Sequence, residues 1–179
     1  MNNIIDNRLN TRNIVVSGLL LALGIIIPSI FHTTGIPGNI FLPMHIPVLL
    51  GGFLLPPFFA FLLGILTPII NSLITGMPVM FPMAVIMVFE LGIYGLVASL
   101  LYRRLEFSII ISLIVSMIVG RIMAGIVVFF LIILFTVQMD PIIFVKAGIM
   151  TGLPGIIIQL ILIPTLMYGI NRYTTINLD

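Results

Sequence analysis

The sequence predicts an all-α polytopic membrane protein, a compact bundle of six transmembrane helices. Three observations predict it. The 179-residue chain is 61% hydrophobic and 7% charged, where an ordinary globular domain is about 25% charged. Its mean hydropathy is +1.37, so it has too little polar surface to coat a water-soluble fold. Its apolar residues fall in runs broken by Pro, Gly and Arg, with length for about six spans of roughly 20 residues each.

The elements follow in order. Residues 1–12 read as a polar tail with Arg8 and Arg12 at its membrane end. No A-x-A-like cleavage site follows, so the first run reads as a retained span and not a signal peptide. Span 1 covers about Asn13 to Phe31 and holds Gly18-x-x-x-Ala22. Small residues four apart share a helix face and admit a close neighbour, either within this protein or on a partner. His32 to Phe41 (HTTGIPGNIF) reads as a loop. Span 2 runs from about Pro43 to Leu55 and stops at Pro56-Pro57. Span 3 runs from about Phe58 to Thr75, with a kink expected at Pro68. TGMPVMFP, Thr75 to Pro82, is a second loop. Span 4 covers about Pro82 to Tyr102 and ends in Arg103-Arg104. Span 5 covers about Ser108 to Phe135, long enough to tilt or protrude. Thr136 to Pro141 is the third loop. Span 6 covers about Ile142 to Ile170, and residues 171–179 form a second polar tail. With no repeat and no linker, the whole chain reads as a single membrane domain.

Positive charges set the orientation. Six spans bring Arg8, Arg12, Arg103, Arg104 and Arg172 to one side, and the three loops opposite hold no Lys or Arg. By the positive-inside rule the basic side is cytoplasmic, both termini with it, in a cell membrane.

Three ionisable residues fall inside spans: Glu90, Arg121 and Lys146. A charge in the bilayer core costs about 2.5–3.5 kcal/mol on insertion scales, so each needs a partner or a wet cavity. Counting 1.5 Å per residue, Glu90 lies roughly 12 Å below the outer end of span 4 and Arg121 roughly 20 Å above the inner end of span 5. Lys146 lies within roughly 8 Å of the outer end of span 6. Asn71, Ser72 and Thr75 reach the same level, as does His45. Tyr94 is one turn from Glu90 on the same face. Convergence in the outer half is what a solute-binding cavity needs. The alternative is a buried ion pair, Glu90 with Arg121 or Lys146, that only fixes helix packing. Candidate solute contacts are therefore His45, Asn71, Glu90, Tyr94, Arg121 and Lys146. Phe81, Met83 and Met87 would suit an aromatic ring, or else simply pack. His32 stays an unassigned loop residue.

Most other chemistry is excluded. Lys146 is the only lysine and lies in no Walker A pattern. With no cysteine there is no disulfide, thiolate metal site or cysteine nucleophile. Two histidines thirteen residues apart make no metal site. No basic run points to nucleic acid, and no catalytic pair or cofactor motif is present, so an enzyme is not expected.

FLPMHIPVLLGGF, then LTPIINSLITGMPVMFPMAVIMVFELGIYGLVASLLYRR, then GRIMAGIVV and AGIMTGLPGIIIQLILIP resemble the substrate-specificity subunit, or S component, of energy-coupling-factor (ECF) vitamin transporters. The resemblance covers about residues 12–170. Within the family the pattern is most similar to the branch assigned to α-ribazole or 5,6-dimethylbenzimidazole, precursors of cobalamin; pantothenate-type and pyridoxine-type members look alike. It implies six helices with cytoplasmic ends and a vitamin held near the outer face by the first long loop and the outer ends of helices 4–6. It implies a membrane coupling (T) subunit and two cytosolic ATPase subunits, so that the whole is an ABC-type importer. Small residues on helix 1 would meet the coupling subunit. Relatives carry alanine-x-x-x-alanine there; this chain has Gly18 and Ala22, keeping small size at both positions and alanine at one. The competing reading of another class is a self-sufficient secondary transporter, which the absence of charge through the inner half opposes.

Overall fold

The computed structural model describes residues 2–135 and 137–173, with side chains over 11–135 and 137–172. The Arg8 side chain and residues 174–179 of the expected C-terminal tail lie outside the described residues. Every element described is helical. They are α1 (Asn2–Thr33), α2 (Gly38–Phe41), α3 (His45–Leu54), α4 (Pro57–Thr75), α5 (Val85–Ser99), α6 (Ile109–Phe135) and α7 (Pro141–Tyr173). A π-helical turn at Leu100–Arg104 follows α5, and before α5 the chain kinks at Phe81, whose backbone is extended (φ −128°, ψ 130°). The polar residues 2–12 continue α1 instead of leaving it.

Five helical stretches are long and apolar enough to cross a membrane: Thr11–Thr33, Pro57–Thr75, Met80–Arg104, Ile109–Phe135 and Pro141–Arg172. The sixth apolar stretch, Gly38–Leu54, is shorter. It holds α2 and α3, and α3 has only ten residues. Ten residues rise about 15 Å, half of an apolar layer about 30 Å thick. The helix starts at His45, two residues later than the sequence reading had it. It ends where Leu55 turns extended, because the residue before Pro56 is pushed out of the helical region.

Other breaks have equally local causes. Pro57 opens α4, where its missing N–H is no loss. Gly76 closes α4 in the left-handed conformation (φ 72°), its N–H donating to Ser72 O. Asp140 caps α7: its Oδ1 accepts from Ile143 N at 2.8 Å, with Pro141 in the first turn.

α3 is the helix the others surround. His45, Pro47, Val48, Leu49, Gly51, Gly52 and Phe53 are all buried, with α1, α4, α5 and α7 packed round it. Leu49, Phe53 and Leu55 share a core with Leu63, Leu91, Leu113, Ile163 and Met167. Small residues let the backbones close: Gly52 faces Ala98, Gly64 lies under the Leu91 backbone, and Gly95 faces the Ala60 carbonyl. At the basic end, Ser99 Oγ donates to Leu55 O (2.7 Å), Arg103 to Leu54 O (3.3 Å) and Asn171 Nδ2 to Tyr102 Oη (3.4 Å). A second core of Ile86, Ala124, Val127, Val128 and Leu131 fills the opposite half between α5 and α6.

The Gly18-x-x-x-Ala22 face of α1 is exposed, and nothing lies within 4 Å of where a Gly18 side chain would stand. Internal packing is therefore not what those small residues serve. α1 attaches instead through Leu20, in the core, and Gly24, which abuts Thr67.

Candidate functional site

The segment expected as a loop, His32 to Phe41, does more than connect. Thr34 and Ile36 donate back to the end of α1, Gly35 turns with φ 72°, and Gly38–Phe41 form one helical turn docked on α7. Two glycines of α7 receive it: a side chain at Gly155 would stand 2.6 Å from Phe41 O, and one at Gly152 would stand 2.9 Å from the Leu42 side chain. Leu42 takes the left-handed conformation (φ 50°) that non-glycine residues seldom adopt. It is held there by its N–H to Gly38 O (2.9 Å), and its carbonyl accepts from His45 N (3.0 Å) and Gln159 Nε2 (3.4 Å). The chain thus enters α3 about halfway along its neighbours. Gln159 is 18 residues into α7, about 27 Å along it.

His45, the first residue of α3, meets α5 and α6 at one carboxylate. Arg121 Nη1 lies 3.0 Å from Glu90 Oε1, Tyr94 Oη donates to the same oxygen at 3.0 Å, and His45 Nε2 stands 3.8 Å from it. The His45 and Tyr94 rings are tilted together, centroids 5.5 Å apart. Glu90 is 3% exposed, the His45 side chain 4% and the Arg121 side chain 11%. Two glycines make the space. Gly120 lies under the Tyr94 ring, and Gly148 on α7 faces the Arg121 guanidinium, where a side chain would come within 2.9 Å of Nη1. At 3.8 Å the imidazole is beyond hydrogen-bond range, and neither of its buried nitrogens has a partner.

Four of the six residues read from sequence are brought together: His45, Glu90, Tyr94 and Arg121. The other two stand apart. Lys146 is exposed; two residues before Gly148, it lies about 200° round α7 from the Arg121 contact. Asn71 faces α1, its amide donating to Gly24 O (2.8 Å) and Thr67 O (2.9 Å). Of the three candidate ring contacts, Phe81 is exposed against Phe135, Met83 belongs to the second core and Met87 to the first. Arg121 is twelve residues from Ile109 and fourteen from Phe135, about 18 and 21 Å, so on α6 the centre lies near the middle of the helix. Gln159 is not among those six, yet it is fully buried with its Oε1 unpartnered; a glutamine inside an apolar run was the available signal.

The arrangement is a buried ion pair with hydrogen-bonded neighbours, at the level where the chain enters α3. The family model described as "ECF transporter, substrate-specific component" matches residues 12–167. The chain belongs to that family. No curated protein and no solved structure matches it. As an S component it is a multi-pass membrane protein of a transporter family and not of an enzyme family. Its family role is to bind a small, vitamin-type solute in association with T and ATPase modules.

Proposed function

We propose that this S component captures a vitamin or vitamin precursor from the outer side and delivers it inward with a coupling subunit and two ATPases. The observation that carries the reading is the convergence of α3, α5 and α6 on Glu90 Oε1 beneath the docked Gly38–Leu42 segment. Arg121 retains donors beyond the one given to Glu90, and neither His45 nitrogen has a hydrogen-bond partner. These would address the solute, with Tyr94 as a wall. The basic end faces the cytoplasm, and the docked segment faces out. Gly18 and Ala22, open on α1, would receive the coupling subunit. The sequence pattern favours α-ribazole or 5,6-dimethylbenzimidazole, with pantothenate or another B vitamin as the alternative.

The test is equilibrium binding to purified protein without ATP or an ion gradient. α-Ribazole should bind, and Arg121→Ala should reduce affinity at least a hundredfold in a protein that still elutes as a folded species. Unchanged affinity would assign Arg121 to packing and end this reading of the site. Gradient-driven uptake by the chain alone in liposomes would favour a secondary transporter instead.

A further inference from the structure

The sequence left open whether the solute carries charge, because the intramembrane residues offer both signs. The side-chain geometry bears on that question. Glu90 and Arg121 are paired at 3.0 Å and nearly enclosed. Lys146, which the sequence also places inside a span, is exposed and about 200° round α7 from the Arg121 contact. The pair is therefore one negative and one positive charge, already matched to each other. A solute bringing a net charge into contact with it would leave one of three buried charges uncompensated, the arrangement that buried ion pairs tolerate worst.

His45 adds the second half of the argument. It is buried, aimed at the same centre from the start of α3, and neither Nδ1 nor Nε2 has a partner. A neutral imidazole offers one donor and one acceptor. Buried polar atoms are nearly always satisfied, so an occupant would supply one acceptor and one donor of its own. The His45 and Tyr94 rings beside each other suit a flat partner.

Resting on the carrier reading above, we infer that the solute is uncharged where it meets this centre: a flat heterocycle with a hydrogen-bond donor and acceptor, and neither a carboxylate nor a phosphate nor an ammonium ion. That separates the two candidates the sequence could not, since pantothenate is an anion and α-ribazole carries no formal charge.

The experiment uses matched pairs differing in charge, titrated against the full-length protein in detergent: α-ribazole and its 5′-phosphate, panthenol and pantothenate, nicotinamide and nicotinate, pyridoxine and pyridoxine 5′-phosphate. The pair that binds should favour its uncharged member at least tenfold. Glu90→Gln, which leaves Arg121 unmatched, should narrow or invert that preference toward the anion. His45→Phe, which keeps a ring but removes both nitrogens, should weaken the uncharged member at least tenfold. Preference for a charged member by the unaltered protein, or equal affinity within the pair, overturns the inference while leaving the carrier reading intact. Binding by no member of any pair sinks the carrier reading and this inference with it. If Glu90→Gln fails to fold, the unaltered protein and His45→Phe still decide.

Discussion

Replacing Asn71 by alanine should cost far more in this chain than in one that also carries Pro28→Ala. In a regular helix the carbonyl of residue 24 accepts from the N–H of residue 28. Here residue 28 is a proline inside α1 and has no N–H to give. The missing donor comes from α4, where Asn71 Nδ2 reaches Gly24 O at 2.8 Å. Gly24 and Asn71 are both buried. Leaving such a carbonyl unpaired costs about 1–3 kcal/mol, and no water in the apolar layer can take the place of Asn71. Asn71→Ala also opens a cavity and loses the bond to Thr67 O, but those losses are the same whatever stands at position 28. Pro28→Ala returns an N–H to the Gly24 carbonyl. The four-protein cycle therefore isolates the repair, with an expected coupling of about 1–3 kcal/mol. Membrane side-chain hydrogen bonds average about 0.6 kcal/mol, because partners are also found in the dissociated state. A carbonyl facing a proline has no such substitute within its own helix, so the higher range applies. Thermal melts of the four proteins in one detergent give the answer. At about 2–4 °C per kcal/mol for a chain this long, Asn71→Ala should lower Tm by roughly 2–12 °C more with Pro28 present than in the Pro28→Ala background. Losses agreeing within about 0.5 kcal/mol would refute the reasoning, because the cycle would show no coupling.

Two further outcomes follow from glycines. Gly155→Val puts a branched side chain onto the Phe41 and Ile40 carbonyls, 2.6 and 2.8 Å from its Cβ; backbone cannot yield as a side-chain tip can. It should cost about 1–3 kcal/mol of stability and, by lifting Gly38–Leu42 off α7, weaken solute binding at least tenfold, read by melting and titration. Gly18→Leu meets open space, so Tm and solute affinity should be unchanged while uptake by the assembled transporter is lost; an altered affinity would put that face inside the bundle.

The helices were legible because their causes are local. Apolar runs, Pro56-Pro57, Gly76 and the Asp140-Pro141 start each act within a few residues, and the structure uses them all. The start of α3 was not legible. It depends on Leu42, a non-glycine residue in the left-handed region, held by Gln159 more than a hundred positions away. The site divides in the same way. Charges inside apolar runs mark Glu90 and Arg121 without any structure, and the one-turn spacing marks Tyr94. Which cation pairs with Glu90 is decided by Gly148, whose missing side chain leaves room for the guanidinium, and nothing in the sequence alone separates Arg121 from Lys146 in that role. Asn71 drew notice as a polar residue at the right level. Its bond to α1 spans 47 positions, and only the pairing of Gly24 with Pro28 hinted at it.

The ten-residue α3 is what ties the fold to the candidate site. A second helix of full length would carry its N-terminus to the membrane surface, where water satisfies the free N–H groups of a first turn. Shortened, α3 brings that end, with its partial positive charge, to mid-depth beside Glu90. It also leaves the level above His45 to be closed by Gly38–Leu42, which is seated by glycine notches and two bonds to one carbonyl. A core helix sealed by side-chain packing along its whole length could not be opened without dismantling the bundle. A single turn resting on two glycines could be lifted while α4, α5 and α6 stay packed through Gly64, Gly95 and Gly120. The helix-on-helix core therefore lies where Phe53, Leu55, Leu113 and Met167 are fully buried, and the glycine-seated turn lies over the charged centre.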